Sequence, residues 1–332
     1  MRPFTWRIIL TNRVALLTML IILLTVTLSA LSPYFLNGGN LLSLTQFSVI
    51  VGLLGLGQTL VILGGGGGID LSTGANLSLS GVIMALAIKH GIHTDTAVTL
   101  ALGSGTVLGA LNGVMVAYRR LPALIITLGT QYLYGSIALG ITNGTPLSPF
   151  SSTFAWLGQS FTAGIPNQVL FVLIPISVVL WLVLRRTVWG RQIYAVGTNQ
   201  HAASLVGISV PSIRLSLYVL NGFLAGVAAV VMNSWMNTAS PTAGAPYVLD
   251  SITVAVLGGT SIFGGEGSIG GTIMAIILFT ILQSGFQLAN INSVMQLGAL
   301  GLLLIIAVVI NQREYRNRRV LRQKVASKKE NV

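Results

Sequence analysis

Few side chains in this sequence can do chemistry, and two of its six carboxylates, Asp70 and Glu266, stand in two glycine-rich stretches of like layout. The first, "VILGGGGGIDLSTGANLSLSGVIMA" from Val61 to Ala85, sets Asp70 among Ser72, Thr73 and Asn76. The second, "AVLGGTSIFGGEGSIGGTIMA" from Ala255 to Ala275, repeats the layout: an apolar run, paired glycines, a polar patch with one acid (Glu266), then another apolar run. A carboxylate at membrane depth is expensive and faces protein, water or a functional partner. Within "IDLSTG", Asp70 or Ser72 is placed to cap a helix beginning near Thr73, accepting hydrogen bonds from its free amides. This capping reading stands ahead of one in which Asp70 takes up an ion or proton. Glu266 has the same two readings, and Asp250 fits the outer boundary of the apolar run 250–263 that it begins. His90, His93 and Asp95 are of metal-ligand type. All three lie on one short connection, with no second cluster to face them, so no metal site is expected. The chain has no cysteine, which excludes disulfides, thiolate catalysis and thiolate metal sites. It also lacks the G-x-x-x-x-G-K-[ST] loop, so it does not bind ATP by that device.

The elements that must position these residues follow from composition. Of 332 residues, 53% are hydrophobic and 7% charged, against about 25% charged in a soluble domain. Apolar runs of about 20 residues, long enough to cross roughly 30 Å of hydrocarbon as helix, recur along the whole chain. They do not alternate apolar and polar, as barrel strands would. The expected fold is therefore an all-α polytopic membrane protein of about ten transmembrane helices with two Gly-rich broken-helix segments. The spans fall near 14–32, 45–64, 74–88, 96–117, 123–142, 168–184, 214–236, 250–263, 268–286 and 294–310. The first stays in the membrane, because its flank carries Arg2, Arg7 and Arg13 and its apolar run is long enough to span. The span at 250–263 is cut short by Gly258, Gly259, Gly264 and Gly265, which makes it a candidate half-crossing.

The net charge of +12 falls at helix ends: Arg119 and Arg120, then Arg185, Arg186 and Arg191, then a tail from Arg313 to Lys329. That is the positive-inside pattern and argues against nucleic acid. Both termini are expected in the cytoplasm, with 143–167 and 237–249 outside; Lys89, near an outer helix end, is the exception. The tail is expected to lie on anionic lipid. Asn112 and Gln131 suit hydrogen bonds between helices, and Gly105, Gly109 and Gly113 suit close helix packing. Gly-interrupted segments in corresponding places mark candidate substrate paths, because unwound backbone offers amides and carbonyls at depth. On this topology both breaks follow an inward-running helix and precede an outward-running one. The stretch "RRTVWGRQIYAVGTNQHAASLVGISVPSIRL", Arg185 to Leu215, is too hydrophilic to span. It predicts a short cytoplasmic helix near 200–206, capped by Asn199 and bounded by Gly197 and Gly207. Ala202, Ala203, Leu205 and Val206 would give that helix an apolar face for a partner.

"GGIDLSTGANLSLSG", "GRQIYAVGTNQHAASLVGIS" and "LGGTSIFGGEGSIGGT" together resemble the three signature regions of ABC-type permeases for ribose, xylose, related monosaccharides and autoinducer-2. The resemblance runs the length of the chain. It implies a single transmembrane permease domain over 1–332: a membrane bundle at 14–310, a coupling segment at 185–213 and a basic cytoplasmic tail at 311–332. It implies a bacterial inner-membrane import subunit. Its partners would be a cytoplasmic ABC ATPase, a second permease, identical or paralogous, and an extracytoplasmic solute-binding protein. The chain itself would hold no cofactor, since Mg-ATP would sit on the ATPase. The resemblance places Gly190, Arg191, Ala195, Gly197, Asn199, Ala202, Ala203, Gly207 and Ile208 in ATPase coupling. It places Gly67, Gly68, Asp70, Ser72, Thr73, Gly74, Asn76, Gly258, Gly259, Ser261, Gly264, Gly265 and Ser268 beside the substrate pathway. The chain departs from the family pattern in the glycine excess of "GGGGGID" and in the charge of Glu266. A different reading of the residues alone is an ion-coupled secondary transporter that uses Asp70; a membrane-embedded enzyme on His90, His93 and Asp95 is a third.

Overall fold

The computed structural model describes residues 13–292 and 294–309. Its helices are α1 (Arg13–Leu31), α2 (Gly38–Leu63), α3 (Thr73–Lys89), α4 (Thr94–Ala117), α5 (Ala123–Thr142) and α6 (Ser152–Gln159). A two-strand hairpin of β1 (Phe161–Thr162) and β2 (Ile165–Pro166) follows. A π-helical turn, Val169–Leu173, then runs into α7 (Ile174–Arg186), and α8 (Val188–Thr198), α9 (Gln200–Leu205), α10 (Val210–Met236), α11 (Tyr247–Leu257) and α12 (Ile269–Leu288) come next. The last described helix is α13 (Val294–Val309). Seven helices, counting the π-turn with α7, are long and apolar enough to cross a membrane, and α3, α11 and α13 are shorter apolar helices. The chain is thus an all-α, multi-pass membrane protein. The basic tail from Arg313 to Lys329, with Arg2 and Arg7, lies outside the described residues.

The bundle is built around α2, in which every residue from Val49 to Leu63 is buried. Around it pack α10, α11 and α12, and α4 lies against α10 in the most extensive helix pair. Between helices in lipid the attraction comes from van der Waals fit rather than from water release, so small residues decide how closely backbones approach. A Cβ on Gly105 would meet the Gly222 carbonyl and Gly226 Cα, and one on Gly109 would meet the Tyr218 carbonyl and Gly222 Cα. The expectation of packing glycines holds, because the two backbones touch there. Gly222→Ala would force its Cβ onto the Gly105 carbonyl, an overpacking of about 1–3 kcal/mol. The expected result is a fall in melting temperature of roughly 5 °C in detergent, read by tryptophan fluorescence.

Two regions differ from the expected layout. The stretch 143–167 is an ordered cap: α6 starts on Ser151, whose Oγ accepts from the Phe154 N–H at 3.4 Å. The cap is tied to the end of α10 by Gly158 N donating to Ser234 Oγ at 2.9 Å and Ser234 Oγ donating to the Phe154 carbonyl at 2.6 Å. The stretch 237–249, expected to lie outside, instead descends into the bundle. Ala239 pairs with Leu147, then Gly244 N donates to Ser78 Oγ at 2.9 Å. The Tyr247 ring packs on Phe47 at 5.8 Å. Since Phe47 lies nine residues inside α2, α11 starts about 13 Å along that helix from its first residue. Its 11 residues then cover about 16 Å, roughly half the hydrocarbon. The span expected at 250–263 is thus a short helix, with non-helical chain before it as well as after it. The physical reason is a glycine contact: Gly244 and Gly74 meet so closely that a Cβ on either would strike the other's carbonyl.

Candidate functional site

Gly65, Gly66 and Gly67 have φ of +69°, +67° and +71°, three successive left-handed residues that only glycine adopts without penalty. They end α2 and turn the chain so that Asp70 points back into protein. Asp70 is 2% exposed. Its Oδ1 accepts from the Ser72 N–H at 2.9 Å and the Ser72 hydroxyl at 2.7 Å, and its Oδ2 accepts from Asn221 Nδ2 at 2.9 Å. Gln58, with its amide turned to satisfy both groups, donates to the Asp70 carbonyl at 3.2 Å and accepts from the Asp70 N–H at 3.1 Å. Asn112 Nδ2 donates to Ser72 Oγ at 2.7 Å, and Thr127 Oγ1 donates to the Ile69 carbonyl at 3.2 Å. The expected cap is therefore corrected. Ser72 occupies the cap position of α3 without a side-chain cap bond, and Asp70 bonds Ser72 and α10 rather than the first-turn amides. The local sequence offers a cap, but Asn221 on a distant helix draws the carboxylate into a brace between α2, α3 and α10. Asn112 makes the interhelical bond expected of it.

The second break closes on itself and on the first. Ser261 N donates to the Glu266 carbonyl at 2.7 Å, and the cap of α12 is Ser268, whose Oγ accepts from Gly271 N at 3.1 Å. Glu266 is thus not the side-chain cap. Gly265 N donates to the Leu63 carbonyl at 2.9 Å, joining the two breaks. Gly258 lies flat on Gly271 and Thr272. The polar stretch after α7 meets both breaks at the same point. A Cβ on Gly197 would strike the Leu63 carbonyl and Gly265 N, and a Cβ on Gly264 would strike Gly65 Cα. The Tyr194 hydroxyl donates to the Gly267 carbonyl at 2.9 Å, and Arg214 Nη2 donates to Gln200 Oε1 at 2.9 Å.

In that stretch Thr187 caps α8 through Gly190 N at 3.1 Å. Gly190 packs on the Leu184 backbone where the chain turns out of α7. Asn199 Oδ1 accepts from His201 N and Ala202 N, each at 3.0 Å. Gly207, at φ +82°, ends the turn. Leu205 and Val206 are each 75% exposed beside exposed Ala202, whereas Ala203 is 3% exposed and belongs to the core. The apolar face is therefore Ala202, Leu205 and Val206, because a helix this short turns its middle residue inward. Arg191 is exposed, and Ala195 and Ile208 are half-buried.

A cavity of about 190 Å³ lies between α3, α5 and the descending stretch before α11, lined by Ser78, Gln131, Tyr132, Ser136 and Thr242 together with apolar residues that include Ala75, Leu139 and Pro241. No charged side chain lines it. Gln131, expected to bond between helices, has no such bond among the described residues and faces this space. The sequence reading missed this site. Its signals are the run "TASPTAGAP" and the density of Thr, Gln, Tyr and Ser on α5. Of the residues expected along a path, Gly74 and Asn76 flank Ala75. Gly67, Gly68, Asp70, Ser72 and Thr73 precede Ala75 in the chain and do not line the cavity. Gly258, Gly259, Ser261, Gly264, Gly265 and Ser268 lie away from it. Among the described residues no group of three or more His, Asp or Glu is arranged to hold a metal.

The broken helices, the short α11 that starts within the bundle and the uncharged cavity beside it define a multi-pass membrane protein of transporter architecture. The chain belongs to the family described as branched-chain amino acid transport system / permease component, whose profile matches residues 40–308. It is 35% identical over 294 residues to the ribose import permease protein RbsC of Bacillus subtilis, covering 88% of this chain and 90% of that protein. It is 37% identical over 288 residues to the fructose import permease protein FrcC of Rhizobium meliloti, covering 84% and 79%. It is 34% identical over 284 residues to the autoinducer 2 import system permease protein LsrD of Photorhabdus laumondii, covering 84% of each. No solved structure matches the chain.

Proposed function

We propose that this chain is the transmembrane permease subunit of an ATP-driven ABC importer that moves a monosaccharide or sugar-like solute across the cell membrane by alternating access. The observation that carries the solute class is the cavity, which sets hydroxyls and one amide among apolar residues such as Leu139 and Pro241 and has no formal charge in its lining. A hydroxyl-rich neutral solute needs replaceable hydrogen bonds there. A zwitterionic amino acid, which the family description names, would leave two charges to match against a lining that has none. The names of the ribose, fructose and autoinducer 2 permeases point the same way.

In this reading two cytoplasmic ATPases drive the cycle with Mg-ATP bound on them, a solute-binding protein delivers from outside, and a second permease completes the path. Both termini face the cytoplasm. The exposed Ala202, Leu205 and Val206 dock into the ATPase, and α8 passes the movement through Gly197 to both glycine breaks. Asp70 braces the inner end of the path. The ion-coupled alternative fits less well, because both Asp70 oxygens are already engaged by protein donors.

The test is uptake of radiolabelled ribose, xylose, galactose, autoinducer-2 and leucine into vesicles holding the chain with its neighbouring ATPase and binding protein. Uptake of one sugar-like solute, lost on omitting the ATPase, is the expected result; uptake that survives the omission overturns the reading. Gln131→Leu is expected to raise KM by about tenfold with little change in maximal rate. Loss of one hydrogen bond of about 1.5 kcal/mol would give that size of effect, and an unchanged KM would remove Gln131 from the path.

A further inference from the structure

A second, larger groove of about 570 Å³ runs along the outside of the bundle between α4 and α10, and shares no residue with the cavity beside α5. Its lining changes character along its length. At the cytoplasmic end stand Tyr118 and Ser212, whose hydroxyls lie 3.3 Å apart. Leu215, Val219 and Leu220 continue it, and Phe223 and Thr106 form its far end.

The polar atoms within the groove are already satisfied by protein. Thr106 Oγ1 donates to the Leu102 carbonyl at 2.7 Å. Ser216 Oγ accepts from Trp189 Nε1 at 3.0 Å and donates to the Ile213 carbonyl at 2.7 Å. What remains for an occupant is an apolar trough with a hydroxyl-bearing mouth. From Ser212 to Phe223 α10 advances 11 residues, about 16 Å, which is close to half of a hydrocarbon core roughly 30 Å thick. The trough is thus one leaflet deep. Arg119 and Arg120 directly follow Tyr118 and are exposed, and neither side chain has an ion-pair partner among the described residues.

We infer that the groove holds an anionic phospholipid of the inner leaflet. One acyl chain lies along Leu215, Val219 and Leu220, and the headgroup sits on Tyr118, Ser212 and the two arginines. Charge complementarity and the one-leaflet length select this occupant. A second copy of the chain seated by two-fold symmetry would bring the same basic edge against itself. The site abuts the coupling stretch, since the Ser216 that floors it is held by Trp189 of α8, so a bound lipid would brace the helix that leads to Gly197.

The test is lipid retention by the purified full-length chain in nanodiscs of phosphatidylcholine and phosphatidylglycerol, read by native mass spectrometry after transfer to detergent. The readout needs neither ATPase nor solute, so it stands or falls separately from the transport reading. Wild type is expected to keep one phosphatidylglycerol at least about tenfold in preference to phosphatidylcholine. Each basic residue near an anionic surface contributes about 1 kcal/mol. R119Q/R120Q is expected to lose the preference while still keeping phosphatidylcholine, and L220W, which fills the trough, to lose both lipids. Should L220W fail to accumulate, V219W reports on the same space. Equal retention of the two lipids by wild type, or a preference that survives R119Q/R120Q, overturns the inference. So does displacement of phosphatidylglycerol by inorganic phosphate alone, since that would mean a headgroup site without a chain. Disulfide-linked dimers formed through Val219→Cys would show the groove to be an interface between copies.

Discussion

Gly197→Ala is expected to abolish ATP-driven uptake while the protein stays in the membrane. Gly197 lies in the last turn of α8, where alanine by itself would favour the helix by roughly 1 kcal/mol, so any loss has to come from contact. That contact is with backbone: the new methyl would strike the Leu63 carbonyl and Gly265 N, the pair whose 2.9 Å hydrogen bond joins the two breaks. Backbone cannot rotate away as a side chain can. Overpacking of this kind costs about 1–3 kcal/mol, and at the upper end it would depopulate the closed junction roughly 100-fold without unfolding the bundle. The measurement is solute uptake in vesicles carrying the neighbouring ATPase, alongside immunoblot of the membrane fraction and the ATPase rate of the assembled complex. Normal abundance, continuing hydrolysis and absent uptake would mark a broken transmission. Retained uptake would count against the coupling role of this segment.

The second large effect is expected at Asp70, where two substitutions give different results. Asp70→Ala strands the Ser72 N–H, the Ser72 hydroxyl and the Asn221 amide in a site 2% exposed. Each buried donor left without a partner costs about 1–3 kcal/mol, and the sum is comparable to the 5–15 kcal/mol that typically holds a fold together. The expected result is near-complete loss of folded protein, seen as collapse of the monodisperse peak in fluorescence-detected size-exclusion chromatography. Asp70→Asn keeps the shape and one acceptor, so most of the protein is expected to survive and to transport in an ATP-dependent, ionophore-insensitive way. Transport lost in well-folded Asp70→Asn, together with collapse of wild-type uptake by an ionophore, would restore the ion-coupled mechanism.

The spans were legible because an apolar run's length is fixed by bilayer thickness. α9 was legible because Asn199 and Gly207 act on their own neighbours. The cap assigned to Asp70 failed for a complementary reason: Asn221 stands 151 residues away, and no local signal says that it arrives. Ala203 failed in the same way, since a six-residue helix has no periodicity from which to read its inner face. Gln131 reads as a helix glue residue until the chain before α11 is seen to descend beside it.

The sequence by itself determined that this is an all-α membrane protein, where its chain breaks, and that a short capped helix lies in the polar stretch after α7. Each of these depends on residue type and on neighbours within a few positions. Only the tertiary structure decided that the two breaks and Gly197 meet at one point, that Asp70 is a brace, and that the uncharged cavity lies beside the descending stretch before α11. Those facts depend on backbones approaching closely enough to exclude a Cβ and on partners more than a hundred residues apart, and the folded packing alone brings them together.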